Sequence, residues 1–171
     1  MVPAPGTRHA ARGTGFQMKH TLELRRVLER MVPGALSRDG FLGTDLRAIE
    51  DILDADRAAV AALGITPGEL AAALRRIFER ATQALGTPAR LGARLVAVHR
   101  EAMGRIPCPF GGCGVFPKGE VEFTDTATGE SVLLTALGIH MVAAHGFCQG
   151  RGSRYRLDPA VLARLLGLGA E

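Results

Sequence analysis

Two cysteines and two histidines in the second half of the chain constrain its fold more than any other feature. Cys108 and Cys113 are separated by four residues in the run Ile106-Pro107-Cys108-Pro109-Phe110-Gly111-Gly112-Cys113-Gly114, whose glycines let the backbone turn so that both thiols point inward. His140 and His145, again separated by four residues, end a segment of helical character that Gly146 can stop. Three cysteines in all, one of them left over, do not make the disulfide framework of a secreted domain. In a reducing compartment a close pair of this kind more often binds metal. Two soft thiolates and two imidazoles form a tetrahedral zinc set, so the expected cofactor is Zn2+, held by Cys108, Cys113, His140 and His145. Five residues along an ideal helix turn by about 500°, so both rings are expected to reach one ion only if the last helical turn tightens or unwinds. Cys148 is an alternative to His145, because Gly146 and Phe147 can turn the chain back towards the ion. Ordinary buried thiols and a core histidine are the plain alternative to any metal.

The rest of the chain supplies a frame for these residues. Residues 1–18 are rich in Pro, Gly, Ala, Arg and Thr without periodicity, which reads as a disordered tail over 1–19 with Met18 as a candidate translational start. Leu24, Val27, Leu28 and Met31 recur at helical spacing over 20–31, and Pro33-Gly34 stops that helix. Thr44-Asp45 signals the start of a second helix, ended by Gly64, and Thr66-Pro67-Gly68-Glu69 is a capping box opening a third. The short Gly64-Ile65-Thr66 link predicts an antiparallel pair over 44–63 and 67–85. Glu50, Asp51, Asp54 and Asp56 read as a solvated helix face, not as a metal or general-acid cluster. After Thr87-Pro88 the pattern alternates, with Leu95, Ala97 and His99 on one side of a strand and Val96 and Val98 on the other. Val121–Phe123 and Ser131–Leu134 then form a hairpin around a turn-rich loop, a short helix covers 135–145, and a last helix runs from Pro159 to Leu166 after Asp158. The expectation is an α+β fold, with an N-terminal helical layer over 20–86 packed on a small antiparallel sheet and a zinc-bound knuckle-hairpin-helix module within 87–171.

The order of cysteine knuckle, hairpin and helix carrying two histidines over 108–145 resembles a C2H2 zinc finger. That resemblance implies structural zinc and these four ligands. It departs from the family in the cysteine spacing, four where two is usual, and in the 26 residues between Cys113 and His140 where about a dozen is usual. Base-reading by the helix therefore does not carry over, since the corresponding positions fall near Thr135, Gly138 and Met141, which offer almost no hydrogen-bonding edge.

Charge is less informative than its total suggests. Of the net +4, three charges belong to Arg8, Arg12 and Lys19 in the expected tail. The preponderance of arginine over lysine reads as a GC-rich genome. One segment does concentrate chemistry: from Gly146 to Arg156 the chain has Arg151, Arg154, Arg156, Tyr155 and Phe147 and no acid until Asp158. Its functional reading is a nucleic-acid grip of weak sequence specificity, with arginines on phosphates and an aromatic ring stacked on an unpaired base. Its plain reading is a surface loop. His99-Arg100-Glu101 followed by Pro107-Cys108 imitates a zinc deaminase motif, but the elements are too close together for that chemistry. Glu120 and Glu130 are the only local candidates for the base of a zinc hydrolase. No apolar run approaches the roughly 18–20 residues of a membrane span, and the N-terminus has no export-type apolar region. The expectation is thus a cytoplasmic, non-catalytic zinc protein that binds nucleic acid, or alternatively a protein partner, with an enzyme a distant third.

Overall fold

The computed structural model describes residues 14–168, with side chains from residue 21 onward. Residues 1–13 of the expected tail lie outside the described residues, whereas 14–19 are already helical. Helix α1 spans Thr14–Met31, α2 Ile49–Ala62 and α3 Pro67–Gln83. The strands are β1 (Ala89–Leu91), β2 (Leu95–Arg100), β3 (Arg105–Pro107), β4 (Val115–Pro117), β5 (Glu120–Asp125) and β6 (Ser131–Thr135), and they are followed by helices α4 (Ala136–His145) and α5 (Pro159–Leu166). The class is α+β, with a four-stranded antiparallel sheet in the order β1-β2-β5-β6 and a separate ribbon of β3 and β4. Among the described residues no single helix is long and apolar enough to cross a membrane.

Helix α3 begins as its sequence dictates. The Thr66 hydroxyl accepts from Glu69 N at 3.2 Å and Glu69 Oε2 accepts from Thr66 N at 2.8 Å, with Pro67 at the first helical position. Its buried stripe of Leu70, Ala71, Leu74, Ile77 and Ala81 lies across the sheet and against α4. The sheet answers with alternating side chains. Ala97 pairs with Phe123 and His99 with Val121, while Val132 and Leu134 stand opposite Phe123 and Val121 on the other side. This face, with Cys148, Leu157 and Leu162, forms the first core.

Helix α2 departs from expectation twice. It starts at Ile49 rather than at Thr44-Asp45, because those residues serve the 150s loop: Thr44 N donates to Arg151 O at 2.9 Å, and the Asp45 carboxylate takes the Arg47 side chain and Arg151 N. Leu46, the first apolar residue after Thr44-Asp45, is 98 % exposed. Nor do α2 and α3 run antiparallel, since the chain bends by 81° between them. The short link keeps their ends adjacent without setting an angle, and the angle is set by what each stripe faces. Ile49 and Ile52 of α2 enter a second core with Met31, Phe41, Leu137, Met141 and Phe147, and only Val60 reaches the first. Three exposed acids of α2 fit the solvated-face reading, but Asp56 is 1 % exposed and belongs inside.

The β3–β4 ribbon was not foreseen. Its strands are three residues long and each ends in proline, which supplies no ladder donor. The ribbon nevertheless sets the cysteines: Pro107 pairs with Val115, so Cys108 and Cys113 occupy its closed end. The β5–β6 hairpin, expected to be part of the metal module, instead provides two neighbouring strands of the larger sheet.

Candidate metal centre

Cys108 and Cys113 lie on the turn that joins β3 to β4. Cys108 N donates to Gly114 O at 3.2 Å and Gly111 N to Cys108 O at 3.0 Å, a knuckle that needs the left-handed backbone of Gly111 and Gly112, at φ 84° and 70°. Arg30 of α1 clamps this loop by donating from Nε to Pro109 O at 2.7 Å. The histidines come from α4. Thr135 caps the start of that helix by accepting from Gly138 N, and Gly146 ends it in the left-handed conformation, with Phe147 N donating to Met141 O at 3.1 Å. Helix α4 stays α-helical through His145 and does not unwind as expected. The two rings instead close the angular gap by side-chain reach, standing at 80° to each other with centroids 5.4 Å apart.

One potential ligand atom from each of Cys108, Cys113, His140 and His145 lies within 4.8 Å of the others. His145 Nε2 is 3.3 Å from Cys113 Sγ and 3.6 Å from Cys108 Sγ. A tetrahedral ion with metal–sulfur bonds of about 2.3 Å and metal–nitrogen bonds of about 2.0–2.1 Å sets sulfur and nitrogen about 3.6 Å apart, so the protein holds this edge close to ligand spacing. His140 Nε2 is buried with no hydrogen-bond partner among the described residues. Such an orphaned atom costs stability unless something accepts its lone pair or proton, and a metal ion at the centre of the group does so. The residues therefore fit a metal ion.

Aromatic rings wall the site. Phe110 stacks on His145 at 4.0 Å and 12°, and Phe116 on His140 at 4.5 Å and 29°, while Phe110 also meets Phe147 edge-on. This apolar setting shapes the protonation of the ligands. Burial pushes the Cys108 thiol up to about 11, and burial also lowers both His140 and His145. The imidazoles are thus kept neutral, as ligands require, and a bound cation would displace the proton of the thiol. Cys148, the alternative fourth ligand, lies elsewhere: it is 1 % exposed, packs in the first core and is pushed up to about 12 by burial.

The structure also locates the other candidates. His99 of β2 meets Phe78 of α3 edge-on and does not join the cysteines, so the deaminase-like set is not assembled. Glu120 is bound by Tyr155 Oη at 2.7 Å and by Arg154 and Arg100, and Glu130 by Arg164 at 2.6 Å, so neither carboxylate belongs to the ligand group.

The segment 146–156 is not a row of free arginines. Arg156 turns inward, bridging Asp56 at 3.0 Å and Asp158 at 3.2 Å and donating to Gln149 O. Arg154 lies over the Tyr155 ring at 5.4 Å and reaches Glu120. Phe147, one of the two rings considered for stacking on a base, is fully buried. Of the three arginines only Arg151 has an exposed side chain with no partner among the described residues. The glycines approach the chain itself: Gly150 N donates to Phe41 O, and a Cβ on Gly150 would stand 2.1 Å from Leu42 O.

Asp56 was not foreseen as a structural residue. It accepts from Cys148 N at 2.8 Å and from Arg156, and so ties α2 to the chain that leaves the metal helix. Nothing local marks it, because its charged partner is a hundred residues away. The aromatic walls of the metal group were equally silent in the sequence. In comparisons with known proteins, no family model, no curated protein and no solved structure matches this chain.

Proposed function

We propose that the chain is a structural-zinc protein that acts as a non-catalytic binding module. The observation that carries this reading is the closed Cys2His2 group with an orphaned His140 Nε2 at its heart. Two thiolates with two imidazoles suit zinc over harder ions. A complete set of four protein ligands leaves no position for an activated water, and among the described residues no carboxylate belongs to the group to serve as a base. The ion's role is then to staple the β3–β4 turn to the end of α4 and to hold the second core together.

Nucleic acid is the proposed partner, in a narrower form than the sequence suggested. Arg151 and Arg154, both exposed, would contact phosphates, while Arg156 holds the loop in shape through Asp56. Binding of this kind is weakly sequence-specific and falls steeply with salt. The test has two parts. Elemental analysis of protein purified without chelator is expected to find one zinc per chain, and His140→Ala or Cys113→Ser is expected to lose it together with the fold of the second core. Metal-free protein with unchanged melting in both variants refutes the zinc reading. Arg151→Ala/Arg154→Ala with zinc retained should then lose DNA and RNA retention at low salt. If the wild type binds neither, a protein partner becomes the reading to pursue.

A further inference from the structure

A second site, separate from the metal group, lies where the loop after α1 meets the start of α4. Here a cavity of about 200 Å³ is walled by Leu36, Ile106, Leu137 and the Tyr155 ring and edged by Arg38, Lys118 and Gln149. Five separate stretches of chain converge on it.

Gln149 is the informative residue. It is 3 % exposed and sits at φ 69°, a left-handed conformation that a side-chain-bearing residue adopts only when its surroundings enforce it. Its Oε1 accepts from Ser153 Oγ at 2.8 Å. Its Nε2 has no hydrogen-bond partner among the described residues, yet it is not one of the atoms sealed from solvent. The amide lies against the first turn of α4, 3.9 Å from where a Cβ on Gly138 would stand. Gln149 thus lines the cavity with a buried amide whose N–H pair has nothing to bind among the described residues.

The other open groups agree with it. Lys118 has no acid partner among the described residues, its chain lying along Gly104. The N-terminus of α4, capped by Thr135, brings the positive end of a ten-residue helix to the same wall. Negative charge nearby is already engaged: Asp39 pairs with Arg38, and Glu120 with Tyr155, Arg154 and Arg100. The cavity thus offers donors and a cation above an apolar floor and, among the described residues, no carboxylate in its lining. From this juxtaposition we infer that the cavity is a binding site for a small carboxylate carried on an apolar body, its oxygens taken by Gln149 Nε2 and Lys118 Nζ and its body packed on Leu36, Ile106 and Leu137. Ligand cavities commonly measure roughly 300–1,000 Å³, so the smaller volume here selects a compact molecule or the end of a chain. This site does not depend on what the metal is or on nucleic-acid binding.

Benzoate is a suitable probe, with benzamide as its neutral isostere and inorganic phosphate as an anion without an apolar body. In 1H–15N spectra of the full chain, purified without chelator, benzoate is expected to saturate and to shift the Gln149 side-chain amide, with benzamide at least tenfold weaker. Lys118→Ala removes an exposed charge without touching either core and should weaken benzoate about tenfold, the scale of one charge-assisted hydrogen bond. Gln149→Glu keeps the side chain's size, sets a like charge in the cavity and should abolish binding. Absence of benzoate binding up to about 10 mM overturns the inference. So does equal binding of benzamide, an affinity unchanged in Lys118→Ala, or a response to phosphate alone. Because Lys118→Ala is read against benzamide in the same protein, the result stands even if Gln149→Glu fails to fold.

Discussion

Replacing Asp56 with Ala tests the network that fixes the chain as it leaves the metal helix. The carboxylate is 1 % exposed and holds two donors, Cys148 N at 2.8 Å and Arg156 Nη2 at 3.0 Å. Truncation orphans the Cys148 N–H inside the first core, at about 1–3 kcal/mol. It also removes one partner of a buried ion pair, a loss that typically totals about 3–5 kcal/mol. Asp158 and the Gln149 carbonyl still receive part of the guanidinium, so the lower end of that range, about 3–4 kcal/mol, is the expected total. Against a whole-fold stability of about 5–15 kcal/mol, this is a large shift in the urea midpoint with an unchanged slope. Asp56→Leu combined with Arg156→Met should recover part of the loss, because the stranded cation is gone and the groups left without a partner, the Cys148 N–H and the Gln149 carbonyl, are uncharged. The pH dependence has a definite sign. Burial raises the Asp56 pKa above its ordinary value, outweighing the hydrogen bond from Cys148 and the charge of Arg156. The folded state therefore favours the protonated acid, and the residue's contribution diminishes as pH rises through its folded pKa. Arg156→Met raises that pKa further, so its destabilisation should grow as pH rises above the folded pKa of the wild-type acid. An Asp56→Ala midpoint within about 0.5 kcal/mol of wild type refutes this account and returns Arg156 to the set of free cations.

Of three further substitutions, two lie in the loops that meet at Arg151 and one, Gly129 in the β5–β6 turn, is a control. Gly150→Ala places a methyl 2.1 Å from Leu42 O and should lower the melting temperature by several degrees, at about 1–3 kcal/mol. Gly129→Ala, at φ 74° with open space around it, should cost only the left-handed strain of about 1–2 kcal/mol, and equal losses would disprove the clash. The Arg47 guanidinium, aided by backbone donors, holds the Asp45 carboxyl below the usual carboxylate range. Its stabilisation is present above the unfolded value of 3.8 and lost as pH falls. Asp45→Asn should therefore be less stable than wild type at neutral pH and converge with it in acid; parallel curves would exclude the pair as the cause.

Sequence reasoning succeeded where the determinant is local. The capping box at Thr66 and Glu69, the Gly146 stop, the Asp158 cap and the alternation on β2 and β5 all act within a few residues, and all appear where expected. The metal group was legible because ligand chemistry limits which residue types can pair. What escaped was decided at a distance. Thr44-Asp45 looks like a helix start until Arg151 claims both residues, and Asp56 looks like one more surface acid until Arg156 reaches it. The angle between α2 and α3 follows from which core each enters, and no property of the link encodes it. Likewise the inward turn of Gln149 is enforced by Ser153, Gly138 and the loop at Phe41 together, not by its neighbours in sequence alone.

The path of the chain between the ligand pairs has a topological consequence. From Cys113 to His140 the backbone passes through β4, β5 and β6 before returning to the same point, so an ion there closes a ring of 26 intervening residues around two paired strands of the main sheet. By the chain-entropy rule for cross-links, a ring of that length removes roughly 3–4 kcal/mol of freedom from the unfolded chain. Unlike a disulfide, this closure is opened by competition for the ion and needs no reductant. Chelation would release β5 and β6 from a tether while leaving every peptide bond and every thiol intact, so the folded fraction follows the supply of free metal.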